Sequence, residues 1–188
     1  MLLKLRGEAC SRRLREGSMK TWRGLVLIAA AMLGACAVPS TLDHSGTSAP
    51  TTNEKTIFVI RHLHKAQGDD PPLNKEGAAA AERLADMLED EGILATFATP
   101  TRRARETAAP LSNRIGVAIT EYDARNPEAL VASVSAIDGS VLVVGHSNTV
   151  PDLVERFGGY PAPRLTEDDY GTIFAIDPMG NVEELPVD

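Results

Sequence analysis

Three short stretches of this chain gather residues suited to handling an anion. They are Arg61-His62-Leu63-His64-Lys65, Thr99-Pro100-Thr101-Arg102-Arg103-Ala104-Arg105-Glu106-Thr107, and Gly145-His146-Ser147-Asn148-Thr149. The chain has four histidines. One, His44, stands in a Ser/Thr/Pro-rich stretch; the other three fall in the first and third of these segments. A neutral imidazole can attack phosphorus and hold the phosphoryl group covalently. A guanidinium can donate two hydrogen bonds to one phosphate through its planar fork, and a second, protonated histidine can stabilise the transition state. Together these residue types suit phosphoryl transfer, whose catalysis is mostly positioning and charge stabilisation around a tetrahedral anion.

Other chemistries fit less well. His62 and His64 have strand spacing that puts both rings on one face, and with Asp69, Asp70 and His146 they are a possible metal set. Arginines in the same pocket would repel a dication, so no metal and no other cofactor is expected. Ser147 sits on a strand-to-helix turn and half-matches a nucleophile elbow. However, Thr149 replaces the glycine and no histidine follows, which excludes that chain order. The two cysteines are Cys10 and Cys36, so residues 55–188 can have neither an internal disulfide nor a cysteine nucleophile.

Positioning these segments requires an alternation of strands and helices. Thr56–Ile60 reads as a buried strand by its β-branched and aromatic content. Asn74 caps a helix predicted to run to about Glu91, with Leu84, Met87 and Leu88 on its core face, and Gly92 stops it. A strand follows at 93–99, a helix at 102–114 and a third strand at 117–122. Asn126-Pro127-Glu128 is a helix start with proline at the first helical position, and that helix runs to about Ala136. Val141–Val144 is a wholly apolar strand, followed by a helix from about Asn148 to Phe157. Strands at 172–177 and 182–185 flank a turn at Pro178-Met179-Gly180. This order predicts an α/β fold, a three-layer α/β/α sandwich with a mostly parallel sheet. In such sheets ligands bind at the carboxyl ends of the strands, where all three segments lie.

Charge narrows the partners. Of 19 Lys/Arg and 26 Asp/Glu, seven and two lie in residues 1–35, which leaves 12 against 24. So acidic a body argues against nucleic acid, which is bound through basic patches. Any phosphate must be met by a few local arginines.

The front end reads as a targeting segment. Leu25–Ala35 is an uncharged run too short to span a bilayer, preceded by the basic Met19-Lys20-Thr21-Trp22-Arg23, which suggests a start at Met19. Leu33-Gly34-Ala35-Cys36 resembles the lipobox of bacterial lipoproteins. That resemblance implies lipidation of Cys36, and Ala37 in place of Asp implies sorting to the periplasmic face of the outer membrane. The expected organisation is a signal peptide over 1–35, a lipid-anchored flexible linker over 36–54 and a domain over 55–188.

The three segments together resemble the histidine phosphatase superfamily, also called phosphoglycerate mutase-like. Arg61-His62 matches its Arg-His-Gly motif, with Leu63 in the glycine position. Thr99–Thr107 is similar to its Ser-Pro-x-x-Arg-Ala-x-x-Thr stretch, and Val144-Gly145-His146 to its late strand ending in Gly-His. The resemblance spans about residues 56–176, and the small phosphohistidine phosphatases are nearest in size. It implies that His62 is the nucleophile and that Arg61, Arg103 and His146 complete the phosphate pocket. It also implies an acid for the leaving group, for which Glu121 or Asp123 at the end of the third strand are the candidates. The expected activity is metal-independent hydrolysis of phosphomonoesters or phosphohistidine, in a monomer acting on a phosphorylated small molecule or phosphoprotein. The alternative is a non-catalytic lipoprotein that binds phosphate or a phosphometabolite in the same fold, suggested by Leu63 and by His64 where short relatives carry an acid.

Overall fold

The computed structural model of the protein describes residues 54–187. The leader, Cys36 and nearly all of the linker lie outside them. Ten elements follow in order: β1 (Ile57–Arg61), α1 (Lys75–Leu88), β2 (Ile93–Ala98), α2 (Arg102–Ile115), β3 (Ile119–Glu121), α3 (Pro127–Ser135), β4 (Ser140–Gly145), α4 (Val150–Gly158), β5 (Thr172–Ile176) and β6 (Val182–Pro186).

The strands form one sheet in the order β3-β2-β4-β1-β5-β6. The pairings among β3, β2, β4 and β1 are parallel, whereas β5 and β6 add as antiparallel strands at one edge. The expected mixed α/β sheet with flanking helices is thus what the chain forms.

Side chains alternate across the sheet, as strand pleating dictates. Phe58 and Ile60 of β1 and Leu142 and Val144 of β4 join a core with α1 and α2. Val59, Val141 and Val143 face the other way, onto α3 and α4 through Leu130, Val134, Leu153 and Val154. With both faces covered, β4 is buried along its whole length, which explains its uninterrupted apolar run.

The expected caps form: Asn74 accepts from the Gly77 N–H and Asn126 from the Ala129 N–H. Four details depart from the sequence reading. α1 ends at Leu88 rather than near Glu91, and α4 begins at Val150 rather than Asn148. Met87 is 37% exposed, because the buried face of α1 runs through Ala80, Ala81, Leu84, Ala85 and Leu88 and Met87 sits at its margin. Finally, β3 is only three residues long and pairs with β2 alone, an edge position that matters for the site.

Candidate active site

The sheet order explains how three distant segments meet. β4 lies between β1 and β2, so the carboxyl ends of the three strands are neighbours. Arg61 pairs in register with Gly145, and the His62 N–H donates to the Gly145 carbonyl at 2.9 Å. On the far side the Thr99 N–H donates to the Val144 carbonyl at 3.4 Å. Residues 61–62, 99 and 145–146 therefore share one edge of the sheet, about 5 Å per strand apart.

His62 is 2% exposed. Its Nδ1 lies 2.9 Å from the Leu63 carbonyl. A carbonyl only accepts, so the proton sits on Nδ1 and the lone pair is on Nε2. Burial, with Arg103, His146 and Arg61 adding positive charge, lowers its pKa from 6.5 to about 4. His62 is thus neutral across the physiological range, as a nucleophile must be.

The His146 ring stands 5.3 Å from that of His62, edge to face. Its Nε2 is 2.9 Å from the Thr99 hydroxyl, and its backbone N–H donates to Thr149 Oγ1. Burial, then Arg103 and Arg61, lower its pKa to about 4 as well. Burial and, after it, the two guanidinium charges thus favour the neutral ring, and an anion seated between the arginines would offset their charge and favour a proton on His146.

The arginines supply the cationic walls. Arg61 is 2% exposed. Its Nη1 donates to the carbonyls of Thr166 and Asp169 at 2.6 and 3.0 Å, and its Nη2 to Glu167 Oε2 at 3.3 Å. Its guanidinium lies 4.0 Å over the Tyr170 ring, a cation–π contact. Arg103 Nη1 stands 3.7 Å from Asp70 Oδ1. The Nε–H groups of both arginines are buried without a partner among the described residues. A buried donor left unpaired is costly, and an anion between these side chains would satisfy both.

The departures from the family motif are accommodated. Leu63 turns fully into the core on the α1/α2 side, and its N–H donates to Thr107 Oγ1 at 3.0 Å. Thr107 in turn donates to the Arg103 carbonyl at 2.9 Å. One buried hydroxyl thereby ties the first segment to the second. His64 stacks on Tyr170 at 4.2 Å and stands 3.8 Å from Glu76. α1 approaches it so closely that a Cβ on Gly77 would fall 2.1 Å from the His64 carbonyl oxygen.

The two acids expected at the end of the third strand are not in this cluster. Glu121 accepts from Arg105 Nη1 at 2.7 Å, and Asp123 is engaged by Arg125. The reason is the strand order, which puts β3 three strands from β1. Two other carboxylates do reach the cluster: Asp70, beside Arg103, and Glu167, between Arg61 and the Ser147 hydroxyl at 3.0 Å. Sequence reasoning missed Glu167 and Tyr170, which lie in or beside an aperiodic loop. The signal available was only that this loop precedes a strand in a chain with few aromatics. Arg102 and Arg105 pair with Glu106 and Glu121 in partly exposed bridges.

Beside the cluster, a cleft of about 530 Å³ opens between α4 and the 161–165 segment, with Ser147, Asn148, Asp152 and Arg164 on its walls. Among the described residues no three His, Cys, Asp or Glu side chains converge as a metal set. His62, His64 and His146 do not form the ligand group considered from spacing.

Comparison with known proteins agrees with this geometry. Residues 57–125 match the sequence profile of the histidine phosphatase superfamily (branch 1). A stretch of 74 residues is 47% identical to the uncharacterized protein Rv0525 of Mycobacterium tuberculosis, covering 35% of this chain and 37% of that protein. The match thus spans little more than a third of the curated relative. The structure of the protein histidine phosphatase SixA complexed with tungstate superposes with a TM-score of 0.54 at 21% identity, covering 69% of this chain and 94% of that one. Mycobacterial glucosyl-3-phosphoglycerate phosphatase Rv2419c, in complex with inorganic phosphate, gives 0.55 at 16% identity over 70% and 95%. The profile match makes residues 57–125 similar to the histidine phosphatase superfamily, and the chain shares the fold of these solved phosphatases.

Proposed function

We propose that the domain is a phosphatase that hydrolyses phosphomonoesters or phosphohistidine through a phosphoryl group carried on His62 Nε2. The observation that carries this reading is the Nδ1–Leu63 carbonyl bond, which fixes the nucleophilic tautomer of a histidine kept neutral by burial. Arg61 and Arg103 bind the equatorial oxygens, and His146 takes up a proton as the anion arrives and bonds the developing charge. Tungstate and phosphate bound by two proteins of the same fold support an oxyanion as the ligand here. The chemistry asks for no metal, because two guanidiniums and an imidazole provide the positive charge. The cleft beside Ser147 leaves room for the leaving group.

The chain's front end supports a bacterial lipoprotein tethered through Cys36, with a monomeric domain on the periplasmic face of the outer membrane. Among the described residues no helix is long and apolar enough to cross a membrane.

The test is a panel of phosphomonoesters and phosphohistidine peptides, assayed with and without EDTA. His62→Ala and His146→Ala are the controls. Turnover insensitive to EDTA and lost in His62→Ala is expected. Phosphate binding without turnover would make the protein a binding lipoprotein instead, and activity restored only by a dication would overturn the metal-free reading.

A further inference from the structure

The fold leaves the pocket without the acid expected from β3, yet it delivers a carboxylate from elsewhere. Glu167 Oε2 accepts from Arg61 Nη2 at 3.3 Å, and Oε1 accepts from the Ser147 hydroxyl at 3.0 Å. The loop carrying it is pinned by Arg61 Nη1 through the Thr166 and Asp169 carbonyls. Its side chain is 74% exposed, on the side where the cleft begins at Ser147. Neighbouring carboxylates are committed to other roles. Glu121 is held by Arg105 and Asp123 by Arg125. Asp70, which stands 3.7 Å from Arg103, accepts the Arg102 N–H at 2.8 Å, on the Arg103 side of the pocket rather than beside Arg61 and Ser147, the partners of Glu167.

We infer that Glu167, positioned by Ser147, is the proton donor to the leaving group and then the base that activates water. This rests on the phosphatase reading above. In the first step the His62 Nε2 lone pair forms an N–P bond as the P–O bond to the leaving group breaks. The departing oxygen keeps the bonding pair and takes the proton of the Glu167 carboxyl. In the second step the Glu167 carboxylate removes a proton from water while the water oxygen bonds to phosphorus. The N–P pair returns to Nε2, and Glu167 is again neutral.

The initial proton can come with the substrate. The charged and titratable groups facing Glu167 are Arg61 and His62 at the end of β1, Lys65 just beyond, and His146 after β4, with the Ser147 hydroxyl donating to it. In the resting site the Ser147 hydroxyl and the Arg61 charge hold its pKa below the ordinary carboxylate value. A phosphate that takes over Arg61 removes that stabilisation and sets an anion beside the carboxylate, so the proton of a monoanionic ester moves to Glu167.

The test compares an alkyl phosphate with 2,4-dinitrophenyl phosphate, whose leaving group departs without a proton. In Glu167→Gln, which keeps one acceptor oxygen for the Ser147 hydroxyl, the ratio of the two kcat/KM values (alkyl over dinitrophenyl) should fall by about 10²-fold or more. Ser147→Ala should lower the same ratio by a smaller factor. Equal losses on both esters would overturn the proposal and leave the phosphatase reading intact. A gain in phosphate affinity with faster turnover of both would also overturn it, showing Glu167 to be a competitor for Arg61. If the unsubstituted protein turns over neither ester above the His62→Ala background, the phosphatase reading itself fails and takes this proposal with it.

Discussion

The backbone N–H of His62 donates to the carbonyl of Gly145, one residue before His146. The two histidines, 84 residues apart in sequence, are thus fixed relative to each other by the parallel pairing of β1 and β4 rather than by side-chain contact alone. Gly145 permits the turn that follows. A Cβ there would lie 2.8 Å from Thr149 Oγ1 and 3.2 Å from the Tyr122 hydroxyl. Thr149 is the group that holds the His146 N–H. Gly145→Ala should therefore shift His146 and reduce kcat/KM by about 10²-fold, the cost of misplacing a catalytic group by roughly 1 Å. Steady-state kinetics on the folded variant, checked by circular dichroism, gives the answer; full activity would show that Thr149 does not position His146.

The arginines separate by role. Arg61 and Arg103 present buried, unpaired Nε–H groups, while Arg102 is 56% exposed and bridges to Glu106 four residues on. Lysine cannot reproduce a forked donor. Arg61→Lys and Arg103→Lys should each lose about 10²-fold or more in kcat/KM, and Arg102→Lys should stay within about threefold, as for an exposed i,i+4 pair. Equal effects at 102 and 103 would contradict the assignment.

How much of this was legible in the sequence follows from contact range. Arg61, His62 and His146 stand at the ends of strands that their own composition reveals, and Arg103 in the first turn of the helix that follows one, so both motif and location could be read. Strand order could not. Glu121 and Asp123 looked suitable because they end a strand, and only the placement of β3 beyond β2 sets them apart from β1. Glu167 and Tyr170 were invisible for the opposite reason. Nothing local marks them, and their role comes from Arg61, which reaches the Thr166 carbonyl across 105 residues of sequence. Leu63 looked like a defect in the motif. Its consequence depended on which way the side chain turned, and it turned into the core.

That orientation makes a stability prediction. Leu63 is fully buried. Leu63→Ala should lose about 2–5 kcal/mol of unfolding free energy in a denaturant titration, with kcat/KM changed only a few-fold below the transition. A variant as stable as the parent would mean that the side chain is not in the core.

The pH dependence has a definite sign. In the proposed mechanism His62 attacks as the neutral ring, and its pKa is lowered to about 4. The acidic limb of kcat/KM is therefore expected near pH 4 rather than near 6.5. His62 and His146 are both lowered in the folded state, so between pH 6.5 and 4 the unfolded chain binds more protons. Stability should be full above about 6.5 and fall as pH is lowered through that window. Tungstate should offset the fall, because a bound anion lets His146 keep a proton. Thermal melts from pH 7 to 4, with and without tungstate, test this; a melting temperature flat across the window would contradict it.

The most direct test of the central claim is to trap the phosphoenzyme. A brief reaction with a ³²P-labelled ester, quenched in alkali, should leave label on the protein that is stable in base and released by acid, as a phosphoramidate bond requires, and none on His62→Ala. Label that survives acid, or that persists in His62→Ala, would contradict a phosphoryl group carried on His62.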